Sequence, residues 1–350
     1  MVIPVLLFIL GLACLIKGGD WFVDGASKIA KRFRIPEIII GATIVSIGTT
    51  LPETMVSATS AVTGHPEIAY GNAIGSIICN TSLISAITIT FMPGKVDRKS
   101  LILPVIFFFF SAIIYALIAY TTGYFYRWTG ILFIITFLSY LFVTIYKSIK
   151  QSKTKDNNEE VESSEEAPQE ESQDEEKESK FLAKHPKLKA FTLTIWFELI
   201  LLVIGAALIA VGADLLVDNG TSIAQALGVP ESVIALTFVA LGTSLPELVT
   251  AITSLIKGHS SLSLGNIIGA NLFNIVLVCG MSITLKPFAV PSSTLIANIP
   301  MSLLIELPVM FGVMLLLTIP TIISGKLKRW QGILLLTIYI AFIAVQFILS

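Results

Sequence analysis

Two glutamates, Glu53 and Glu247, stand well inside apolar stretches of a 350-residue chain, about 17 residues from the start of segments that are otherwise poor in charge. A charge placed at such depth in a hydrocarbon environment costs at least about 2.5 kcal/mol, so a functional role is the default reading. Each is framed alike, by Gly48-Thr49-Thr50-Leu51-Pro52 and by Gly242-Thr243-Ser244-Leu245-Pro246. Proline carries no N–H, so the carbonyls of Gly48 and Gly242, four residues earlier, lose their helical partners. A kinked helix with free carbonyls is expected in each case. The hydroxyls of Thr49, Thr50, Thr243 and Ser244 join those carbonyls and one carboxylate from each segment in an all-oxygen donor set. Such a set suits hard cations such as Ca2+ and Na+, and it offers no imidazole or thiolate to favour zinc or copper. Asn80 and Asn274 follow their glutamates by 27 residues. Each amide offers either a neutral carbonyl oxygen to the same cavity or a hydrogen bond between helices.

The elements that position these residues must be membrane helices. With 54% hydrophobic and 13% charged residues and a mean hydropathy of +0.85, the chain cannot cover itself with a water-solvated surface. Apolar runs long enough to cross a bilayer fall at about 2–26, 36–62, 67–91, 101–121, 128–149, 190–221, 230–256, 261–284, 297–320 and 330–349. Ten helices are therefore expected, five on each side of a stretch that holds 12 of the 24 acidic residues between Gln151 and Lys180. That stretch has no apolar periodicity and reads as a disordered loop. Cys14, Cys79 and Cys279 are few, odd in number and far apart, which indicates small core residues and no disulfide framework. The first apolar run has no basic stretch before it, so it is expected to remain as a helix.

Lys and Arg fix the expected orientation. With the N-terminus outside, the cytoplasmic connections carry 20 and the outer ones two, Arg127 and Lys286, while Lys17 lies within the first helix. Both termini are then outside and the acidic loop is cytoplasmic in a multi-pass protein of the cell membrane. Residues 41–84 match 235–278 at a constant offset of 194 without a gap, 17 of 44 positions being identical. The offset extends back to Asp20 and Asp24, which match Asp214 and Asp218. An odd number of crossings per repeat makes the second copy enter from the opposite side. The fold class is an all-α membrane protein of ten transmembrane helices in two inverted five-helix repeats, an architecture that places substrate at the midplane. The repeats are assigned to 1–149 and 190–350, with the acidic loop at 150–189.

The remaining polar and small residues have quieter expectations. Gly71, Gly75, Gly265 and Gly269 are spaced for close helix approach. Asn72 and Asn266 are placed to bond the opened backbone of the preceding helix. His65 and His259 follow helix-ending glycines and read as capping or interfacial groups. Asp20, Asp24, Asp214 and Asp218 read as solvated helix ends, with ion attraction as the alternative, and Trp128 and Trp330 as interface anchors of equivalent helices.

The stretches GTTLPETMVSA and GTSLPELVTAITS, followed by GNAIGSIICN and GNIIGANLFN, resemble the two alpha repeats of the sodium/calcium exchanger family, within the cation/calcium exchanger superfamily. The resemblance spans both halves and leaves out only the acidic loop. It implies ten helices, alternating access, and Ca2+ export against inward Na+ through four clustered ion positions. Carried onto this chain, it implies that Glu53 and Glu247 hold Ca2+ with the carbonyls of Thr49 and Thr243. Carbonyls near Ser46 and Ala240, with Thr50, Ser244 and Ser76, would complete the flanking sodium positions, and Asn80 and Asn274 would line the middle one. Two departures stand out: an amide at Asn274, where potassium-dependent relatives carry an acid, and Ala270, where the family commonly has serine. The first implies potassium-independent exchange. The second bears on one outer sodium position.

Two ionised glutamates balance one Ca2+, and three Na+ exceed them by one charge, so exchange at the family's ratio moves net charge. The expected protein is a Na+/Ca2+ antiporter, not an enzyme, with Ca2+ and Na+ as substrates, the lipid bilayer as surroundings, no nucleic acid and no organic cofactor. A Ca2+/H+ antiporter is the alternative, in which the two glutamates would carry protons. The hydroxyl-rich frames favour sodium, because a proton needs no cage of oxygens. The chain lacks an HExxH motif, a buried pair of aspartates and a nucleophilic serine motif, which argues against an intramembrane hydrolase.

Overall fold

A computed structural model describes residues 2–156, 194–227, 242–292 and 295–349. Ten helices follow one another in it: α1 Val2–Arg32, α2 Glu37–Val62, α3 Pro66–Phe91, α4 Arg98–Thr122, α5 Arg127–Asp156, α6 Ile195–Ala226, α7 Leu245–Ile256, α8 Ser260–Leu285, α9 Ser302–Ser324 and α10 Arg329–Leu349. Among the described residues, nine are long and apolar enough to cross a bilayer, and α7 is shorter. Phe142 and Ile256, 72% and 78% exposed, are among many large apolar side chains on the outer surface, which lipid accommodates and water does not.

Several boundaries differ from the hydropathy reading. Helix α1 continues to Arg32 and takes in Lys28, Lys31 and Arg32, because its 31 residues make about 46 Å of helix and outrun the hydrocarbon core of about 30 Å. Its last turns can therefore be charged. Helix α9 starts at Ser302 where 297 was expected, since the chain first makes a two-stranded ribbon, β3 Leu295–Ile296 with β4 Ile299–Pro300. Ala297 and Asn298 take φ of 50° and 66° at its tip, the geometry a tight hairpin needs. Helix α5 extends to Asp156, past the expected end at 149. The rest of the acidic stretch, and the part of the seventh apolar run before Gly242, lie outside the described residues.

The inversion is visible in how α1 meets α6. A Cβ placed on Gly11 would lie 2.9 Å from the Gly212 carbonyl oxygen, and one on Gly18 would lie 2.9 Å from that of Gly205. Gly11 and Gly18 correspond to Gly205 and Gly212 at the repeat offset of 194. Each glycine thus meets the counterpart of the other, the exchange that a twofold axis in the membrane plane produces. With no hydrophobic drive between helices in lipid, such small residues permit the close backbone contact that holds them. The connections obey the same exchange. β1 Tyr124–Phe125, after α4, pairs with β2 Phe288–Ala289, after α8, while Lys95, after α3, bridges to Lys326, after α9.

The largest apolar core lies among α3, α4, α5, α8 and α9, with Tyr70, Phe108, Tyr115, Phe133, Tyr140 and Phe273 fully buried. It ties the second half to the first. Tyr140 of α5 also donates to the Ala42 carbonyl at 2.9 Å and so fixes the lower part of α2.

Candidate ion-binding site

The sequence around each proline folds differently in the two halves. Helix α2 runs through Pro52 as one helical stretch from Ser46 to Val62, preceded by a π-helical turn at Gly41–Val45. In the second half the helix restarts at Leu245, with Pro246 in its first turn, after a non-helical Ser244 at φ −94° and ψ 3°. Proline is tolerated in a first turn because its missing N–H would have no partner there. Pro52 thus stands inside a continuous helical stretch, whereas Pro246 stands just after a break.

Glycine has a second use in these frames. A Cβ on Gly48 would lie 2.9 Å from the Phe22 ring of α1, and one on Gly242 would lie 2.7 Å from Val217 of α6. Their bare backbones let α1 and α6 pass close beside the glutamate helices. The asparagines stand on repeat-equivalent π-helical turns, Asn80–Ile84 in α3 and Asn274–Cys279 in α8. Each such turn holds one extra residue and redirects the side chains at its start. Across the interface between the halves, α2 packs on the Asn274 turn and α7 on the Asn80 turn.

Glu53, Glu247, Asn80, Asn274 and Thr50 are 0% exposed, and Ser244 and Ser76 are buried with them. Both carboxylate oxygens of each glutamate, both polar atoms of each of these asparagine amides, and the hydroxyls of Thr50 and Ser244 have no hydrogen-bond partner among the described residues. The two carboxylates are near enough to feel each other's charge. The Ser76 hydroxyl lies near Glu53 and the Thr49 hydroxyl near Glu247, outside hydrogen-bonding geometry. An unpaired buried charge costs several kcal/mol, and two side by side cost more. Oxygen atoms gathered in this way fit a cation of the calcium or sodium type, whose coordination would satisfy them together. Among the described residues, no group of three or more His, Cys, Asp and Glu side chains is placed to hold a metal.

Of the other residues singled out in the sequence, Ser46 and Thr49 are committed to scaffolding through their hydroxyls. Ser46 donates to the carbonyls of Gly41 at 2.7 Å and Asn266 at 3.0 Å, and Thr49 donates to the Asn266 side-chain oxygen at 3.3 Å. Thr243 lies half-buried in the turn before α7, and Ala240 lies outside the described residues. Asn72 donates to the Glu53 carbonyl at 3.3 Å and to the Ser57 hydroxyl at 2.8 Å, the backbone role expected of it. Its counterpart Asn266 serves α2 of the opposite half instead of the helix before it. Gly265 and Gly269 permit the expected close approach, a Cβ on Gly269 lying 2.6 Å from Ala42. A Cβ on Gly71 or Gly75 would meet nothing within 4 Å outside its own helix among the described residues.

Some polar residues had escaped notice, or had been read too blandly. Asp24 is paired with Lys257 at 2.7 Å, and Asp20 lies at 3.5 Å from the same amine, so neither is simply a solvated helix end. His259 stands at the start of α8 as expected but turns its Nδ1 to the Glu37 carboxylate at 2.7 Å without capping the helix. Glu198 and Glu306 also lie in apolar segments. Glu198 is clasped by the Arg32 guanidinium at 2.6–2.9 Å, and Glu306 accepts from Gln346 at 3.2 Å. Cys79, one residue before Asn80, lies beside Ser244 and the two glutamates.

The fold and the buried oxygens define a membrane transporter with a central cation site. The chain belongs to the sodium/calcium exchanger protein family, which matches residues 3–146 and 197–348. It is 32% identical to sodium/calcium exchanger MaX1 of Methanosarcina acetivorans over 98% of both chains, and 32% identical to the putative antiporter CaxA of Alkalimonas amylolytica over 100% of this chain and 99% of that one. Sodium/potassium/calcium exchanger 2 of Mus musculus is 32% identical over 39% of this chain and 20% of its own. The solved structure of the sodium-calcium exchanger NCX_Mj soaked with Na+ and Sr2+ superposes with a TM-score of 0.74 at 32% identity, covering 98% of each chain. The protein is accordingly a multi-pass antiporter and not an enzyme.

Proposed function

We propose that this protein exchanges Na+ for Ca2+ across the cell membrane by alternating access, with net movement of charge and without need of potassium. The observation that carries this reading is the pair of fully buried glutamates whose four oxygens find no partner among the described residues. Glu53 and Glu247 hold Ca2+, with the carbonyls of Thr49 and Thr243. Ser46, Thr50, Ser76, Ala240 and Ser244 supply the flanking sodium positions, and Asn80 and Asn274 the middle one. With two fixed negative charges, Ca2+ leaves the site neutral and three Na+ leave it at +1, so the two loaded forms differ in charge. Both termini face outward, and the acidic stretch between the five-helix repeats is cytoplasmic.

The test is Ca2+ uptake by purified protein in liposomes driven by an outward Na+ gradient. Uptake that follows the Na+ gradient and steepens with membrane potential supports the reading. Uptake that follows a pH gradient and ignores Na+ supports a Ca2+/H+ antiporter, a reading favoured by the absence of the Ala270 hydroxyl from one sodium position.

A further inference from the structure

A narrow cleft, its inner wall buried and its rim open at Ser260 and Met92, lies on the face of the molecule that carries Lys257, between α3, α7 and α8. Ser85, Thr88, Ser260 and Ser263 give it hydroxyls, and Leu255 and Ile267 give it apolar wall. Ile84, Ala251 and Ile267, all buried, close on one another as a separate apolar cluster with Leu248 packed against it. The three helices carry the same sequence of levels. In α3 it runs from Asn80 through Ile84 to Ser85 and Thr88. In α8 it runs from Asn274 through Ile267 to Ser263. In α7 the buried face from Glu247 passes Thr250 and Ala251 to Ser254 and Leu255 at helical spacing. At 1.5 Å per residue, the cleft lies about 12 Å from the glutamate level along α7.

Hydroxyls in the helices of this protein habitually return to the carbonyl four residues back. Thr54, Ser82, Ser282 and Thr318 all do so at 2.5–2.9 Å. Thr250 and Ser254 do not: both are fully buried, and neither hydroxyl has a partner among the described residues. They lie one and two turns beyond Glu247, at the level of the apolar cluster and just past it.

Resting on the exchange reading above, we propose that this cleft is the cytoplasmic vestibule of the ion path, closed from the site by the apolar gate of Ile84, Ala251 and Ile267. Thr250 and Ser254 supply oxygen ligands that replace water on a dehydrating cation as it passes the gate. An apolar constriction of this kind stops ions by excluding the water they carry.

Cysteines placed at Ser260, on the exposed rim of the cleft, and at Thr250, behind the gate, test the path in the chain reconstituted in vesicles. A positively charged, membrane-impermeant methanethiosulfonate is applied from one face at a time, and labelling is read as a mass shift against the parent with its own three cysteines. Ser260→Cys is expected to label from the Lys257 face alone. Thr250→Cys is expected to label slowly, and Ile267→Ala is expected to speed it at least about tenfold, the factor that corresponds to ~1.4 kcal/mol. Met92→Cys, at an exposed position of the same lining, samples the cleft if Ser260→Cys melts below the parent. Labelling of the cleft from the opposite face, no labelling in protein that melts like the parent, or a Thr250→Cys rate indifferent to Ile267→Ala would each overturn the proposal. Because labelling needs no transport, the outcome is independent of whether Na+ drives Ca2+ flux.

Discussion

Replacing Glu53 by glutamine keeps the side-chain volume and removes one of the two charges that face the cation. The carboxylate is 0% exposed and neither oxygen has a partner among the described residues, so in the loaded protein its compensation comes from the ion. Removing one partner from a buried charge pair costs about 3–5 kcal/mol. At ~1.4 kcal/mol per decade, that is roughly a hundredfold to several thousandfold weaker Ca2+ binding. In a Na+-free melting experiment at Ca2+ one hundred times the parent's Kd, the parent gains ~2.7 kcal/mol from binding. The variant, even at the weakest loss, gains only about 0.4 kcal/mol by the same relation. With a chelator the order is reversed: Glu53→Gln is expected to melt at or above the parent, because an uncompensated buried charge has gone. Calcium flux in liposomes should be lost. A variant that keeps the parent's Ca2+-dependent melting shift and transports at a comparable rate would show that Glu53 does not face the ion, and the site would have to be placed elsewhere.

Three other outcomes are expected. Parent flux under a Na+ gradient at fixed ionic strength and clamped potential should not respond to K+, whereas Asn274→Asp adds a third carboxylate and should slow Ca2+ release or admit a further cation; strong K+ stimulation of the parent would contradict the two-carboxylate account. Gly269→Leu should cost about 1–3 kcal/mol or more by overpacking against Ala42 and Ser46, read as a lower melting temperature in detergent, and an unchanged melt would count against the close α2–α8 contact. Deleting residues 157–189, which hold most of the acidic stretch, should leave Na+-driven exchange intact, and loss of flux in folded protein would assign that stretch a regulatory role.

Hydropathy disclosed the helices because each must pair its own backbone N–H and C=O groups in lipid, a constraint met within one segment. What it missed depends on partners far away in the chain. The π-helical turns at Asn80 and Asn274 leave no mark in composition, and neither does the unequal treatment of Pro52 and Pro246. Glu198 and Glu306 look in the sequence much like Glu53 and Glu247, yet Arg32 is 166 residues from Glu198, and Gln346 is 40 from Glu306. The repeat separates the two kinds: at the offset of 194, Glu198 falls on Pro4 and Glu306 on Ala112, whereas Glu53 falls on Glu247. Among these glutamates, the duplicated pair is the central one, and each solitary one has a partner of its own. The glycine exchange between α1 and α6 was also written in that offset, at Gly11 with Gly205 and Gly18 with Gly212, outside the stretch where identity is dense.

The polar clasps on the Lys257 face break the symmetry that the repeats establish. Arg32 with Glu198, Lys257 with Asp24 and His259 with Glu37 all cross from one half to the other. At the repeat offset their counterparts are Ala226 with Pro4 and Thr63 with Asp218, neither of which can form such a clasp, while the counterpart of Glu37 lies outside the described residues. Any opening that parts the halves on the Lys257 face must break contacts that the mirror opening does not. On the alternating-access reading proposed above, the two access states of this near-symmetric molecule would therefore be unequal in free energy before any ion binds. An ion approaching from the less populated side meets a competent site only part of the time, and its apparent affinity falls by that fraction. Identical ligands can thus present one affinity to the cell interior and another to the outside, and salt, by screening the clasps, should draw the two together.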